Sequence, residues 1–127
     1  ENMEITINNT TYPLKASFAF LKKIETMDRR AAGDSEIDMG LANAIVMARD
    51  TGDLRYLVDL IWALNAGQKP ALERTAVESY IEDDCEDPEA LLNEVIGFLS
   101  KANVCRLRLK KMGIIAEQTT ETPSLSA

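Results

Sequence analysis

The residue types that most often carry catalysis are sparse in this chain of 127 residues. It has no histidine, the residue that most often serves as a general base or metal ligand near neutral pH. The usual serine and cysteine triads and the common zinc sites depend on imidazole, so they are excluded or strained. The sequence also lacks a glycine-rich phosphate loop. An enzyme built on it would have to work with Asp and Glu alone.

Asp50-Thr51-Gly52 has the sequence of the aspartic-protease motif. That chemistry needs two carboxylates that share a proton on a paired β scaffold. Here the tripeptide falls between two predicted helices, where Gly52 suits a helix C-terminus and Asp53 suits the N-cap of the next helix. We therefore predict a structural role for Asp50.

A second acidic group, formed by Asp83, Cys85, Asp87 and Glu94, has some of the spacing of a calcium loop. Pro88 replaces the glycine that such a loop requires, and cysteine is a poor ligand for a hard cation. A solvated acidic surface is the main expectation, and weak cation binding is the alternative. We predict no catalytic residues, no metal site and no cofactor.

Composition limits the partners and the compartment. A net charge of −7 argues against sequence-independent binding to the phosphates of nucleic acids. No apolar run in the sequence is long enough to span a membrane. Glu1 and Glu4 lie where a secretory signal peptide needs cations, so we expect no leader and a natural start at Met3. Cys85 and Cys105 are then expected to be reduced and structural.

The elements that position these residues begin with a β-hairpin. Apolar and polar residues alternate in Met3–Ile7 and again in Thr11–Lys15, and Asn8-Asn9 suits a type I′ turn because Asn tolerates positive φ. This register pairs Ile5 with Tyr12 and puts the apolar side chains on one face. An isolated hairpin is marginal in water, so helices must cover that face.

The rest of the chain predicts about five helices separated by loops, including a loop over 31–35. The predicted starts are an N-cap at Ser17, an apolar stripe from Ile37, an N-cap at Asp53, a capping box at Thr75 with Glu78, and Asp87-Pro88. The segment 104–110 fits either a strand or a continuing helix, and we favour a helix that runs to Met112. The fold class is therefore mainly α (α+β). A single domain over 3–112 packs an N-terminal hairpin (3–15) on the helices, and a flexible tail follows over 113–127.

Two features suggest contacts with other proteins. The third helix is apolar almost all round, which is typical of a central helix or a subunit interface, so Tyr56, Leu60 and Trp62 are candidate contact residues. Charge is also segregated: eight acids and no base lie between 75 and 94, and five bases and no acid lie between 101 and 111. Either these are separate solvated surfaces or they are complementary surfaces of neighbouring subunits. The candidate residues of the second reading are Glu82, Asp83, Asp84, Arg106, Arg108 and Lys110.

Roughly residues 3–105 resemble the tail assembly chaperones of long-tailed, siphovirus-type bacteriophages and prophages of Gram-positive bacteria. The resemblance is carried by the start, Met3–Asn9 with Tyr12, Leu14-Lys15 and Phe18, by the stretch from Lys69-Pro70 to Asp83, and by the helix Leu91 to Asn103.

The resemblance implies a non-enzymatic protein of the host cytoplasm. Such chaperones coat and solubilise the tape-measure protein, recruit tail-tube subunits, self-associate, and are absent from the mature virion. A head-to-tail contact between subunits would propagate into a ring or a spiral. The alternative is a structural head–tail joining component that is retained in the virion. An enzyme or a small regulatory binding protein is less expected, because catalytic machinery and a basic recognition helix are both missing from the sequence.

Overall fold

A computed structural model describes residues 2–116, which form two β-hairpins and six α-helices around a hydrophobic core. The strands are β1 (Asn2–Ile7), β2 (Thr10–Lys15), β3 (Arg29–Ala32) and β4 (Ser35–Asp38). The helices are α1 (Phe18–Glu25), α2 (Gly40–Thr51), α3 (Leu54–Leu64), α4 (Arg74–Ser79), α5 (Pro88–Lys101) and α6 (Asn103–Lys111), and a π-helical turn (Tyr80–Asp84) continues α4. The mainly α fold with an N-terminal hairpin is confirmed. Most of the predicted tail, 117–127, lies outside the described residues.

The first hairpin has the predicted register. Ile5 pairs with Tyr12 and Met3 with Leu14, and the two turn residues, Asn8 and Asn9, have φ values of 52° and 68°. Ile5 and Leu14 are buried in the core that the hairpin shares with the helices. The alternation of apolar and polar residues in the sequence therefore places the apolar side chains on one face of the hairpin, and the helices cover that face.

Helix α3 is the centre of the fold, which explains why it has almost no polar face. It contacts α1, α2, α4, α5 and β2. Asn65, which follows α3, is also buried, and both the nitrogen and the oxygen of its side-chain amide are hydrogen-bonded. Its Nδ2 donates to the carbonyl oxygens of Pro13 and Pro70, at 3.0 and 3.2 Å, and its Oδ1 accepts from the backbone N–H of Leu72 at 2.7 Å. Because a buried amide must be paired, Asn65 ties the hairpin and the following loop to the central helix.

A second hairpin replaces a predicted loop and the predicted start of the second helix. Strands β3 and β4 pair antiparallel, and Arg29 reaches across them to Asp38 at 3.1 Å. The assignment of Ile37 to a helix was wrong: Ile37 lies in β4, and α2 begins only at Gly40. The hairpin is short and polar, so its period-two signal is weak in the sequence.

Two further predictions about helix ends were wrong. Thr75 does not begin a capping box: α4 starts at Arg74, and Glu78 pairs with the Arg74 guanidinium at 3.6 Å. The helix that starts after Asp87 does not run to Met112. It ends before Ala102, whose extended ψ of 133° lets α6 turn so that it can bury residues of its own in the core. Among these are Cys105 and Leu109.

Candidate functional site

The predicted contact residues of α3 do not form one exposed surface. Leu60 is fully buried in the core. Trp62 is half-buried, with the Lys23 ammonium 3.7 Å and the Arg74 guanidinium 5.5 Å from its ring centre. Tyr56 is half-buried and lines a cavity between the second hairpin, α2 and α3. In this fold Leu60 supports the core, and Trp62 is covered by cations.

The acidic candidates are exposed. Glu82, Asp83 and Asp84 lie on the π-helical turn. With four more exposed acids they form what we name the acidic ridge: Glu82, Asp83, Asp84, Glu86, Asp87, Glu89 and Glu94. Within residues 2–116 none of these seven carboxylates is in an ion pair. No group of three or more acidic or cysteine side chains in the same residues is arranged to hold a metal ion.

The basic candidates on α6 lie on two different flanks of that helix. Cys105 and Leu109 face the core. With 3.6 residues per turn, Arg106 and Lys110 share one flank, whereas Arg108 lies on the other. That second flank also carries Val104 and Lys111, whereas Leu107 lies on the side of the helix opposite Cys105 and Leu109. The fold therefore separates side chains that are neighbours in the sequence.

Arg108 has an acidic partner within the chain. Its Nε and one terminal nitrogen donate to the Glu25 carboxylate at 2.5 and 3.1 Å, and the same terminal nitrogen donates to the carbonyl oxygen of Asp38 at 2.6 Å. The hydrogen bond and charge of Glu25 raise the pKa of Arg108, and burial followed by the charge of Glu25 raises the pKa of Cys105 to about 11. Arg108 thus joins α1, β4 and α6.

An apolar groove opens beside this ion pair, between α1, β4 and α6. We define the apolar groove by Phe18, Leu21 and Ile37, which line a space of about 630 Å³ together with Lys22 and the Glu25–Arg108 pair. Phe18 is 75% exposed and Ile37 is 44% exposed. Exposed apolar side chains that line one space, as Phe18 and Ile37 do, are typical of a protein-binding surface. Leu107 is 61% exposed on the side of α6 that faces away from the core, and it does not line this space.

Sequence reasoning did not identify this groove. Phe18 is the first residue of α1 and lies outside the buried stripe of Phe20 and Ile24. Its position outside that stripe is the feature of the sequence that could have indicated an exposed aromatic side chain. Ile37 was assigned to the wrong element.

The Asp50-Thr51-Gly52 tripeptide lies at a helix end, as predicted. Gly52 ends α2 with φ of 74°, and Asp53 accepts a hydrogen bond from the N–H of Arg55 as the N-cap of α3. Asp50 is exposed and pairs with Arg49 at 2.8 Å, which lowers the pKa of its carboxyl group. Its carboxylate is therefore held in an ordinary surface ion pair with its neighbour.

Comparison with known proteins identifies a family. A family model described as "Phage tail assembly chaperone protein, TAC" matches residues 4–113, a span that includes all the helices of residues 2–116, the second hairpin, and the first hairpin except its first two residues. No curated protein and no solved structure matches the chain. Within residues 2–116 no helix is long and apolar enough to cross a membrane. Because the match covers most of the chain, the protein belongs to the phage tail assembly chaperone family.

Proposed function

We propose that this chain coats and solubilises the tape-measure protein during assembly of a phage tail and recruits tail-tube subunits, without catalysing a reaction. The observation that carries the proposal is the family match over residues 4–113. The surface fits such a role, because exposed Phe18, Ile37 and Leu107 offer apolar contacts.

The charge of the chain supports a solubilising role. A protein that covers an apolar partner must present a surface that repels other complexes, and a net charge of −7 does this. The acidic ridge supplies much of that charge, and its carboxylates have no ion-pair partners within residues 2–116.

We further propose that the chain self-associates head to tail. The acidic ridge surrounds the start of α5, whereas Lys101 ends α5 and Arg106 and Lys110 follow on α6. Fourteen helical residues separate the two ends of α5, which is about 20 Å at 1.5 Å per residue. This exceeds two Debye lengths at physiological salt, so the acids at the start of α5 and Lys101 at its end neutralise each other weakly within one chain. A neighbouring copy can bring them together.

Coexpression with the tape-measure protein of the same phage tests the main proposal. We expect the chain to raise the soluble fraction of that protein and to copurify with it. An unchanged soluble fraction with no copurification would contradict the proposal.

The proposed place of action is the host cytoplasm, before the tail is complete. Mass spectrometry of purified virions should then detect tail-tube protein but not this chain. Its presence at a fixed ratio to the tube protein would instead indicate a structural component.

A further inference from the structure

We propose that the second hairpin, β3–β4, is a lid that swings open about its base at Asp28 and Met39, and that Arg108 is the latch that holds it closed. In the closed position the hairpin separates the apolar groove from the cavity between the hairpin, α2 and α3. Ile24 lines that cavity, and the next residue, Glu25, lines the apolar groove. Opening joins the two spaces at the end of α1. The lid is a property of the chain alone, so it does not depend on the proposed function.

The second hairpin is not anchored in the hydrophobic core. Each residue from 29 to 38 whose side chain is described is exposed, apart from half-buried Asp38, and none of them belongs to the core. Even Ile37 is 44% exposed. The first hairpin differs, because its Ile5 and Leu14 are buried in the core. Segments with few buried apolar contacts open at lower free energies than the core does.

Contacts within the second hairpin allow it to move as one body. Its two strands pair from Arg29 with Asp38 to Ala32 with Ser35. The Arg29 guanidinium also lies 3.1 Å from the Asp38 carboxylate and 3.5 Å from the Glu36 carboxylate. All these contacts join one strand to the other, so they are kept when the hairpin moves away from the helices.

The base of the second hairpin supplies the hinge. The backbone N–H of Met39 donates to the carbonyl oxygen of Asp28 at 2.6 Å, which closes the base. Directly after this pair, Gly40 packs against the backbone of Ile24, so the start of α2 stays in place when the hairpin moves. The rotation is then confined to the turn 26–28 and to Met39.

Side chains of two helices hold the hairpin in the closed position. Arg108 of α6 donates to the Asp38 carbonyl oxygen at 2.6 Å, and Asn43 of α2 accepts from Arg30 at 3.2 Å. The same Arg108 guanidinium holds the Glu25 carboxylate. On opening, Glu25 keeps this partner and regains contact with water, so the movement uncovers a paired carboxylate and leaves no polar group buried without a partner.

Distances between two spin labels, measured by pulsed electron paramagnetic resonance, test the lid in the full chain. One label is attached at the hairpin turn through Asp34→Cys and the other on α4 through Ser79→Cys, both at exposed positions. The background carries Cys85→Ser, and Cys105 is buried and stays unlabelled. The tip of the hairpin lies about 13 Å from its base, at roughly 3.3 Å per residue, so a swing of about 45° moves it by about 10 Å.

The latch variant combines Glu25→Leu with Arg108→Met, which removes the contact to Asp38 without leaving a charge buried and unpaired. We expect one main distance in the wild-type background and, in the latch variant, a second component displaced by about 5–10 Å. Asn43→Ala removes the other contact and leaves Arg108 in place, so it should produce the same component even if the latch variant fails to fold. Adding it to the latch variant should enlarge the component at least twofold. An unchanged distance distribution in these variants would overturn the lid.

The first hairpin provides the matched control. Labels at Thr10→Cys and Ser79→Cys should give the same distance distribution in every variant, because that hairpin is anchored in the core. A displacement of both hairpins would show a general loosening of the fold and would overturn the lid. Circular dichroism checks that each variant is folded. These distances decide the lid separately from the coexpression test, whichever way the solubility of the tape-measure protein changes there.

Discussion

Glu25 and Arg108 lie 83 residues apart in the sequence, yet they form the most buried ion pair of the described part of the chain. The Glu25 side chain is only 7% exposed. A carboxylate removed from water in this way is stable only when it is paired and hydrogen-bonded. Arg108 supplies both the opposite charge and the hydrogen bonds. It also donates to the Asp38 carbonyl oxygen, which anchors the end of β4. One residue therefore holds together the three elements that surround the apolar groove.

We expect Arg108→Ala to lower the free energy of unfolding by about 2–3 kcal/mol, because it leaves the Glu25 carboxylate buried and unpaired. The value lies below that for a fully buried pair, since the Arg108 side chain is 35% exposed. Urea denaturation measures the change. Replacing both residues, as Glu25→Leu with Arg108→Met, should recover most of the loss.

Arg55→Ala is the matched control, since Arg55 pairs with Asp53 on the surface with its side chain 84% exposed. This substitution should change the urea midpoint little. An equally small effect of Arg108→Ala would mean that Glu25 does not depend on its partner.

At the scale of elements, the packing of α2 on α1 depends on one glycine. A Cβ atom on Gly40 would overlap the backbone carbonyl oxygen of Ile24, at the end of α1. Backbone atoms cannot move aside as a flexible side chain can, so the absence of a side chain at Gly40 sets how closely the two helices approach. The second hairpin connects the end of α1 to the start of α2, and its strand β4 contributes Ile37 to the apolar groove.

We expect Gly40→Ala to destabilise the chain by about 2–3 kcal/mol, the upper part of the range for overpacking a well-packed core. Gly97→Ala is the matched control within α5, where an added Cβ meets no atom within 4 Å. Alanine is the better helix former, so this change should stabilise by about 0.5–1 kcal/mol. Thermal or urea unfolding of both variants measures these opposite changes in stability. A change in stability in the same direction for both variants would contradict the packing argument.

For the whole molecule, the proposed head-to-tail association depends on the separation of charged groups that have no ion-pair partner within residues 2–116. Within residues 2–116, the acids of the acidic ridge lie at the start and along the first half of α5 without ion pairs, and Lys101, Arg106 and Lys110, which also have no acidic partner there, lie at its end and on α6. We propose that such an arrangement attracts other copies end to end. Arg106 and Lys110 lie on one flank of α6, whereas Arg108, which lines the apolar groove, lies on the other.

We expect the average mass measured by light scattering to fall as salt rises from about 50 to 500 mM, because contacts between exposed charges are screened. Arg106→Glu combined with Lys110→Glu should lower the mass at low salt as well. Lys69→Glu is the control, since Lys69 is exposed in the loop between α3 and α4. A mass that is indifferent to salt and to both changes would show that apolar contacts alone hold the copies together.

Local backbone preferences determined the parts of this protein that could be predicted from its sequence. Asn8 and Asn9 tolerate positive φ, and Ser17, Asp53 and Asp87 each accept a hydrogen bond from the first turn of the helix that follows. Such interactions join residues at most a few positions apart, so the sequence shows them directly. The resemblance of the sequence to the tail assembly chaperones is confirmed by the family match.

Only the tertiary structure decided which of those residues are available to a partner. The apolar character of α3 left open whether Leu60 faces the core or another protein, and the packing of four helices around it places it in the core. Contacts between distant segments determined the break at Ala102, the Glu25–Arg108 pair and the apolar groove. A sequence pattern reports the polarity and spacing of side chains, whereas exposure depends on which segments pack against them, and that depends on the whole chain.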